Sequence, residues 1–193
     1  MKIERMPVTS PYPLPIYLVT VGVGDQANII TIAWGGTVNQ KPPMAAIAVR
    51  TSRHSYELLC RTREFVINVP RAAQAELVDR AGVESGRTVD KFQTYGLTRA
   101  PAAKVEVPLI EECPVNVECA VRHQLELGSH DLFIGEVLAV QYDEELLDDA
   151  GELMVDRLDS YVYMEGEYRA LGETIGTHGF SVKKARAREE GGS

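Results

Sequence analysis

Residues 115–127 alternate strictly. Val115, Val117, Cys119, Val121, His123, Leu125 and Leu127 share one parity, and Asn116, Glu118, Arg122, Gln124 and Glu126 share the other. A period of two puts neighbouring side chains on opposite faces, so this run predicts one long antiparallel strand with one wet face. Gly128-Ser129-His130-Asp131 reads as a turn. Residues 132–142 then return as a second strand, with Gly135 as a bulge or bend.

The same reading gives two more hairpins. Residues 16–23 and 29–34 flank the break Gly24-Asp25-Gln26-Ala27-Asn28, and residues 161–164 and 168–171 flank Glu165-Gly166-Glu167. Residues 45–49 and 64–69 are short apolar strands, the second interrupted by the polar Asn68, while Gly35-Gly36 and Pro42-Pro43 frame a loop. Helical spacing is confined to residues 71–81, stopped by Gly82, with short helices at 55–61 and 89–95. So many strands with so few helices predict a mainly β, closed or partly closed antiparallel barrel with short inserted helices. A length of 193 residues fits one domain, 1–193, with a frayed charged tail at 185–193.

Charge and apolar runs narrow the function. With 28 acidic against 20 basic side chains and a net charge of -8, the chain is a poor non-specific nucleic-acid binder, and any anionic ligand must be held locally. There is no apolar run of eighteen residues for a membrane span and no apolar core for a signal peptide in residues 1–15. Cys60, Cys113 and Cys119 are an odd set without a CxxC pair, and Cys113 and Cys119, read on one strand, stand too far apart to bridge. A reducing cytoplasm and buried free thiols are expected. The four histidines lack ligand spacing, so no metal is expected.

One stretch departs from the acidic background. Arg50-Thr51-Ser52-Arg53-His54-Ser55 stands between an apolar strand and a short helix, where unpaired amides, the helix dipole, cations and hydroxyls together suit a phosphate. The same residues also suit a plain helix cap by Ser52 or Ser55 with solvated arginines. Ser85-Gly86-Arg87, followed by Asp90-Lys91-Phe92, forms a second polar cluster, readable as a charged surface turn. Neither GxGxxG nor GxxxxGK[ST] occurs. His130 is placed either as a proton donor or as a turn residue.

Taken in order, Asn28-Ile29-Ile30-Thr31-Ile32-Ala33-Trp34, the Arg50 to Tyr56 loop, Glu64-Phe65-Val66-Ile67-Asn68-Val69-Pro70, the Ser85 to Phe92 segment, residues 128–137 and the closing Gly179-Phe180-Ser181-Val182-Lys183-Lys184 resemble the flavin reductase-like, or flavoredoxin, family. The resemblance implies a split β-barrel that binds FMN non-covalently in a homodimer with flavin sites near the interface. It implies that Asn28, Thr31, Ala33 and Trp34 lie along the flavin ring, that Arg50, Thr51, Ser52, His54 and Ser55 take the phosphate, and that Asn68, Ser85 and Lys91 complete the site. His130 is the residue it offers for catalysis. NAD(P)H, if used, has no separate dinucleotide site and stacks directly on the flavin. The Gly-Ser-His-Asp turn stands where many NAD(P)H-dependent members have Gly-Asp-His, which aligns the chain with the flavoredoxin branch. An FMN-dependent oxidoreductase is the first reading. An FMN electron carrier docking on a redox partner protein, a pyridoxamine-phosphate-oxidase-like or haem-binding barrel, and a barrel without flavin are the alternatives.

Overall fold

A computed structural model describes residues 1–9 and 12–182. In chain order its elements are β1 (Tyr17–Val21), β2 (Asn28–Ile32), β3 (Gly35–Asn39), β4 (Met44–Arg50), α1 (His54–Thr62), β5 (Glu64–Val69), α2 (Ala75–Val83), α3 (Lys91–Tyr95), β6 (Arg99–Ala100), β7 (Leu109–Ile110), β8 (Val115–Glu126), β9 (His130–Tyr142), β10 (Tyr161–Met164) and β11 (Glu167–Ala170). Seven strands make one sheet in the order β2-β1-β5-β8-β9-β4-β3. Its two edge strands, β2 and β3, are consecutive in the chain and joined only by Ala33-Trp34, so the sheet must curl back on itself into a split barrel. The interior is filled by β-branched and aromatic side chains, among them Val19, Ile30, Ile47, Phe65, Ile67 and Phe133, and closed at one end by Leu58 and Leu59 of α1. Outside the barrel, Leu18 and Ile29 pack against Val78 and Ala81 of α2 and Phe92 of α3. β1 and β2 are thus apolar on both faces because both faces are covered.

The long hairpin forms as the alternation predicts, with β8 and β9 antiparallel. The wet face does not. Asn116 and Glu118 are buried, because residues 100–109 fold over that side of the sheet and pack Val105, Val107 and Leu109 against Val66. Their polar parity marks hydrogen bonding in place of solvation. Glu118 accepts from the amides of Ala103 (3.0 Å) and Lys104 (2.6 Å) and from Gln141 Nε2 (2.7 Å). Further along, Val121 faces Gly135 and His123 faces Ile134, which leaves Arg122 as an extra residue. This bulge shifts the phase, so His123 and Leu125 end exposed.

Four smaller expectations are corrected. Gly135 is not itself the bulge; it is a close-packing position, where a Cβ would stand 2.7 Å from the Phe65 ring. Residues 35–39 are strand β3, held by pairing with β4, in place of a loop. The helix read at 71–81 divides into a single 3-10 turn and α2, which runs through Gly82, where a Cβ would stand 3.3 Å from Thr31 Cβ. Cys113 precedes β8 in a turn closed by its amide and Ile110 C=O (3.1 Å). All three cysteines are free, and burial pushes the Cys113 and Cys119 thiols up to about 12. The expectation for residues 185–193 lies outside the described residues. Among the described residues, no helix is long and apolar enough to cross a membrane.

Glu118 makes the cover over β8 sensitive to acid. Burial opposes its ionisation, yet the Ala103 amide, the Gln141 side chain and the Lys104 amide outweigh that and hold its carboxyl below the ordinary 4.5. A depressed folded-state pKa stabilises above the unfolded value and is lost as pH falls through the folded one. Glu118→Gln is expected to lower stability by about 1.5–3 kcal/mol in denaturant melts at pH 7. The difference from wild type should shrink as the pH is taken below 4.5.

Candidate functional site

The amino end of α1 is built as an anion grip. Its first turn follows the extended Arg53, and no side chain caps it. Ser55, a candidate cap, is turned inward instead and its Oγ accepts from Asn28 Nδ2 (2.8 Å). The first amides of a nine-residue helix therefore face a cavity of about 240 Å³ lined by Arg50, Ser52, Arg53, His54, Ser55, Ser85 and Lys91. Nδ1 of His54 is buried there without a partner among the described residues. Unused amides, three cations and an orphaned imidazole nitrogen fit a phosphate.

Lys91 is the buried cation of this set. It is 4% exposed, and its Nζ donates to Ile29 C=O (2.8 Å) and Ala81 C=O (2.5 Å). Desolvation, followed by repulsion from Arg53, lowers its pKa to about 8, with Glu84 opposing. Glu84 lines the same cavity, but its carboxylate accepts from Tyr95 Oη (2.8 Å) and pairs with Arg80 (3.4 Å), which turns its charge aside.

A second, shallower cavity of about 180 Å³ adjoins the first through Ile30, Arg50 and Arg53 and continues along Thr31, Ala33, Trp34 and His130. β2 is an edge strand, paired only with β1. Ile29 C=O faces the outer edge, where it meets Lys91, and backbone groups alternate in direction along an antiparallel strand. Thr31 therefore also points its N–H and C=O outward, giving the edge donors and acceptors suited to the rim of a flat heterocycle. Thr31 Oγ1 is occupied with Val78 C=O (2.6 Å), so its backbone is what it can offer. At the far end the rings of Trp34 and His130 lie 4.7 Å apart at 45°, with His130 Nδ1 2.9 Å from Ser129 Oγ. Burial, then Arg50 and Arg53, holds His130 below the usual imidazole value, so it is a neutral ring near pH 7.

Most residues named from the sequence line these two cavities. Three do not. Asn28 lines neither and touches the first only through its bond to Ser55. Asn68 is wholly buried on the far side of β1. Its Nδ2 donates to Leu18 C=O (2.9 Å) and its Oδ1 accepts from Ile110 N–H (3.0 Å) and Asn116 Nδ2 (2.8 Å). It is a structural clamp with no capacity left for a ligand. Thr51 occupies the exposed turn closed by Arg53 N–H to Arg50 C=O (3.0 Å) and lines neither cavity. The sequence reading missed Ile30, Gly82 and Glu84. Gly82 carried a usable signal, since a glycine inside a helical run marks close approach to a neighbouring element.

Known proteins resemble this chain in sequence and in fold. The family model described as flavin reductase like domain matches residues 9–172. A protein of Pyrococcus abyssi is 38% identical over 134 residues, covering 69% of this chain and 77% of its own. The FMN reductase (NADH) RutF of Acinetobacter baylyi is 29% identical over 127 residues, covering 65% and 64%. The solved structure of the flavoredoxin of Desulfovibrio vulgaris (Miyazaki F) superposes with a TM-score of 0.87 at 33% identity, covering 95% of this chain and 100% of that one. A split barrel with an uncapped, cation-ringed helix end beside an open strand edge, matched over 9–172, places the chain in the flavin reductase-like family.

Proposed function

We propose that the chain binds FMN in the two joined cavities and acts as an NAD(P)H-dependent oxidoreductase. The observation that carries this reading is the uncapped amino end of α1, with Arg50, Arg53 and Lys91 converging on one cavity that opens onto the free edge of β2. When bound, the flavin supplies hydride and electron transfer, and no side chain need form a covalent bond. Arg50, Arg53 and the α1 amides hold the phosphate, Ser52 and Ser85 add hydroxyl donors, the outward backbone of Thr31 orients the ring and Ala33 lines its cavity. Trp34 and His130 wall one side of the ring cavity and limit water there, His130 presenting a neutral imidazole to the reductant. Trp34, Leu125 and Leu127 are 40%, 48% and 65% exposed around the His130 turn, an apolar rim suited to a second copy of the chain.

Purification tests the reading directly. The protein should leave gel filtration yellow and at the size of a dimer, and anaerobic NADH or NADPH should bleach it within the mixing time. A colourless protein that takes up no added FMN sinks the proposal, and a stable yellow colour assigns it to the electron-carrier alternative. His130→Asn should retain flavin while bleaching more slowly.

Two substitutions address the phosphate grip. Arg50→Ala should weaken FMN binding by about 1.5–3 kcal/mol in calorimetry, the scale of a charge-assisted hydrogen bond. Arg169→Ala, at an exposed pair with Glu167 on the β10–β11 hairpin, should leave it unchanged; equal losses at both would contradict the assignment.

Lys91 supplies a pH signature. Its protonated form favours a phosphate dianion, so affinity should hold through pH 7 and decline as pH rises through about 8. Lys91→Met should bind more weakly at pH 7 and lose that decline. An identical profile in both proteins would remove Lys91 from the site.

A further inference from the structure

Among the described residues, Glu84 is the one acidic side chain that lines the phosphate cavity, opposite Arg50, Arg53, His54 and Lys91. It caps the carboxyl end of α2, the negative pole of that helix, where a carboxylate is the wrong charge. The ammonium of Lys91 sits at the same pole, bonded to Ala81 C=O of the last turn. The two charges feel each other, since Glu84 opposes the fall in the Lys91 pKa. Yet they form no ion pair among the described residues. An ammonium carries three donors. Ile29 and Ala81 take two of them, so Glu84 and a ligand phosphoryl compete for the third.

We propose that Tyr95 is a positioning residue for this cavity, its hydroxyl holding Glu84 aside so that the third donor of Lys91 is left to a ligand. The clasp makes the cavity select a phosphorylated flavin over riboflavin, which has the same ring and no phosphoryl. The proposal rests on the flavin reading for the identity of that ligand.

Tyr95 Oη donates to Glu84 Oε2 (2.8 Å), and Arg80 meets only the other oxygen, through Nε and Nη2 at 3.4 Å each. An arginine side chain 46% exposed, with long contacts to a single oxygen, adds little, which leaves the hydroxyl as the clasp. Arg80 steadies the ring instead, its guanidinium lying 4.8 Å from the Tyr95 centroid. Lys91 and Tyr95 are four residues apart on α3, so one short helix presents both to the end of α2. Burial, then the bond to Glu84, pushes the Tyr95 hydroxyl up to about 12, and it stays a donor through neutral pH. The same bond is the first cause holding the Glu84 carboxyl below its ordinary value, so the group restrained is a full negative charge.

Calorimetry with FMN and with riboflavin on the wild type, Tyr95→Phe, Glu84→Gln and the double variant tests the clasp. Tyr95→Phe should weaken FMN binding about tenfold and leave riboflavin unchanged. In the Glu84→Gln background the same change should move FMN affinity by less than about twofold. A tyrosine that merely packed α3 would lower both flavins, and would do so in either background. A second readout needs no flavin. In the flavin-free protein, NMR of isotope-labelled lysine follows the Lys91 titration, which should move up from about 8 in Tyr95→Phe and should not move when Glu84→Gln is already present. If the wild type takes up no flavin while Lys91 responds in this way, the clasp stands and the flavin reading falls. Losses shared equally by FMN and riboflavin, an FMN loss that survives Glu84→Gln, or a Lys91 titration that Tyr95→Phe leaves in place overturn the proposal.

Discussion

The ammonium of Lys91 joins three elements at one point. From the first residue of α3 it reaches the carbonyl of Ile29 in β2 and that of Ala81 in α2, buried to 4% exposure. Removing a charge from water costs several kcal/mol unless it is paired, and these partners are neutral. Glu84, the carboxylate that lines the same cavity, is spent on Tyr95 and Arg80. The fold thus keeps a desolvated cation beside the cavity proposed to hold an anion. The group that pins the outer helices to the barrel edge is also the one that gives the cavity its charge.

Local pattern sufficed for the sheet but not for its cover. The strand pairs β1–β2, β8–β9 and β10–β11 were legible because alternation and turn residues act within a few residues of each other. β3 was not, since its glycines carry no strand propensity and it exists through its ladder with β4. The buried parity of Asn116 and Glu118 was read as wet because the residues that cover it, 100–109, have almost no periodic structure of their own. Whether a polar face meets water or a loop of amides is a tertiary fact.

At the site the clustering of the residues proposed to grip the phosphate was legible for the same reason. Arg50, Ser52, Arg53, His54 and Ser55 are adjacent in sequence, and a strand-to-helix junction puts adjacent residues around one point. Asn68 and Lys91 show the limit. Asn68 is a polar residue inside an apolar strand and Lys91 stands in a segment readable as a charged surface turn, and only the family resemblance assigns both to the site. The structure separates them by what remains unbonded: Asn68 has its donor and acceptor groups all engaged, while Lys91 keeps a charge without a counterion.

The two ends of the site are registered through the barrel interior. Alternation along β9 sends His130 to the ring cavity and Asp131 inward, where it is 2% exposed. Asp131 accepts from Tyr56 Oη (2.7 Å) and Gln124 Nε2 (2.8 Å), while Gln124 Oε1 accepts from Arg63 Nη1 (3.0 Å). The bond to Asp131, aided by burial, raises Tyr56 above the ordinary phenol value and keeps it a donor. Tyr56 lies in the first turn of α1, two residues past His54, so the phosphate end of that helix is tied to the strand that carries His130. β4 closes the loop, since Arg50, which lines both cavities, stands directly across from His130 in the β4–β9 ladder. The spacing of the two cavities proposed for phosphate and ring is therefore set by sheet register and one buried carboxylate, and exposed loops such as the Thr51 turn can vary without changing it.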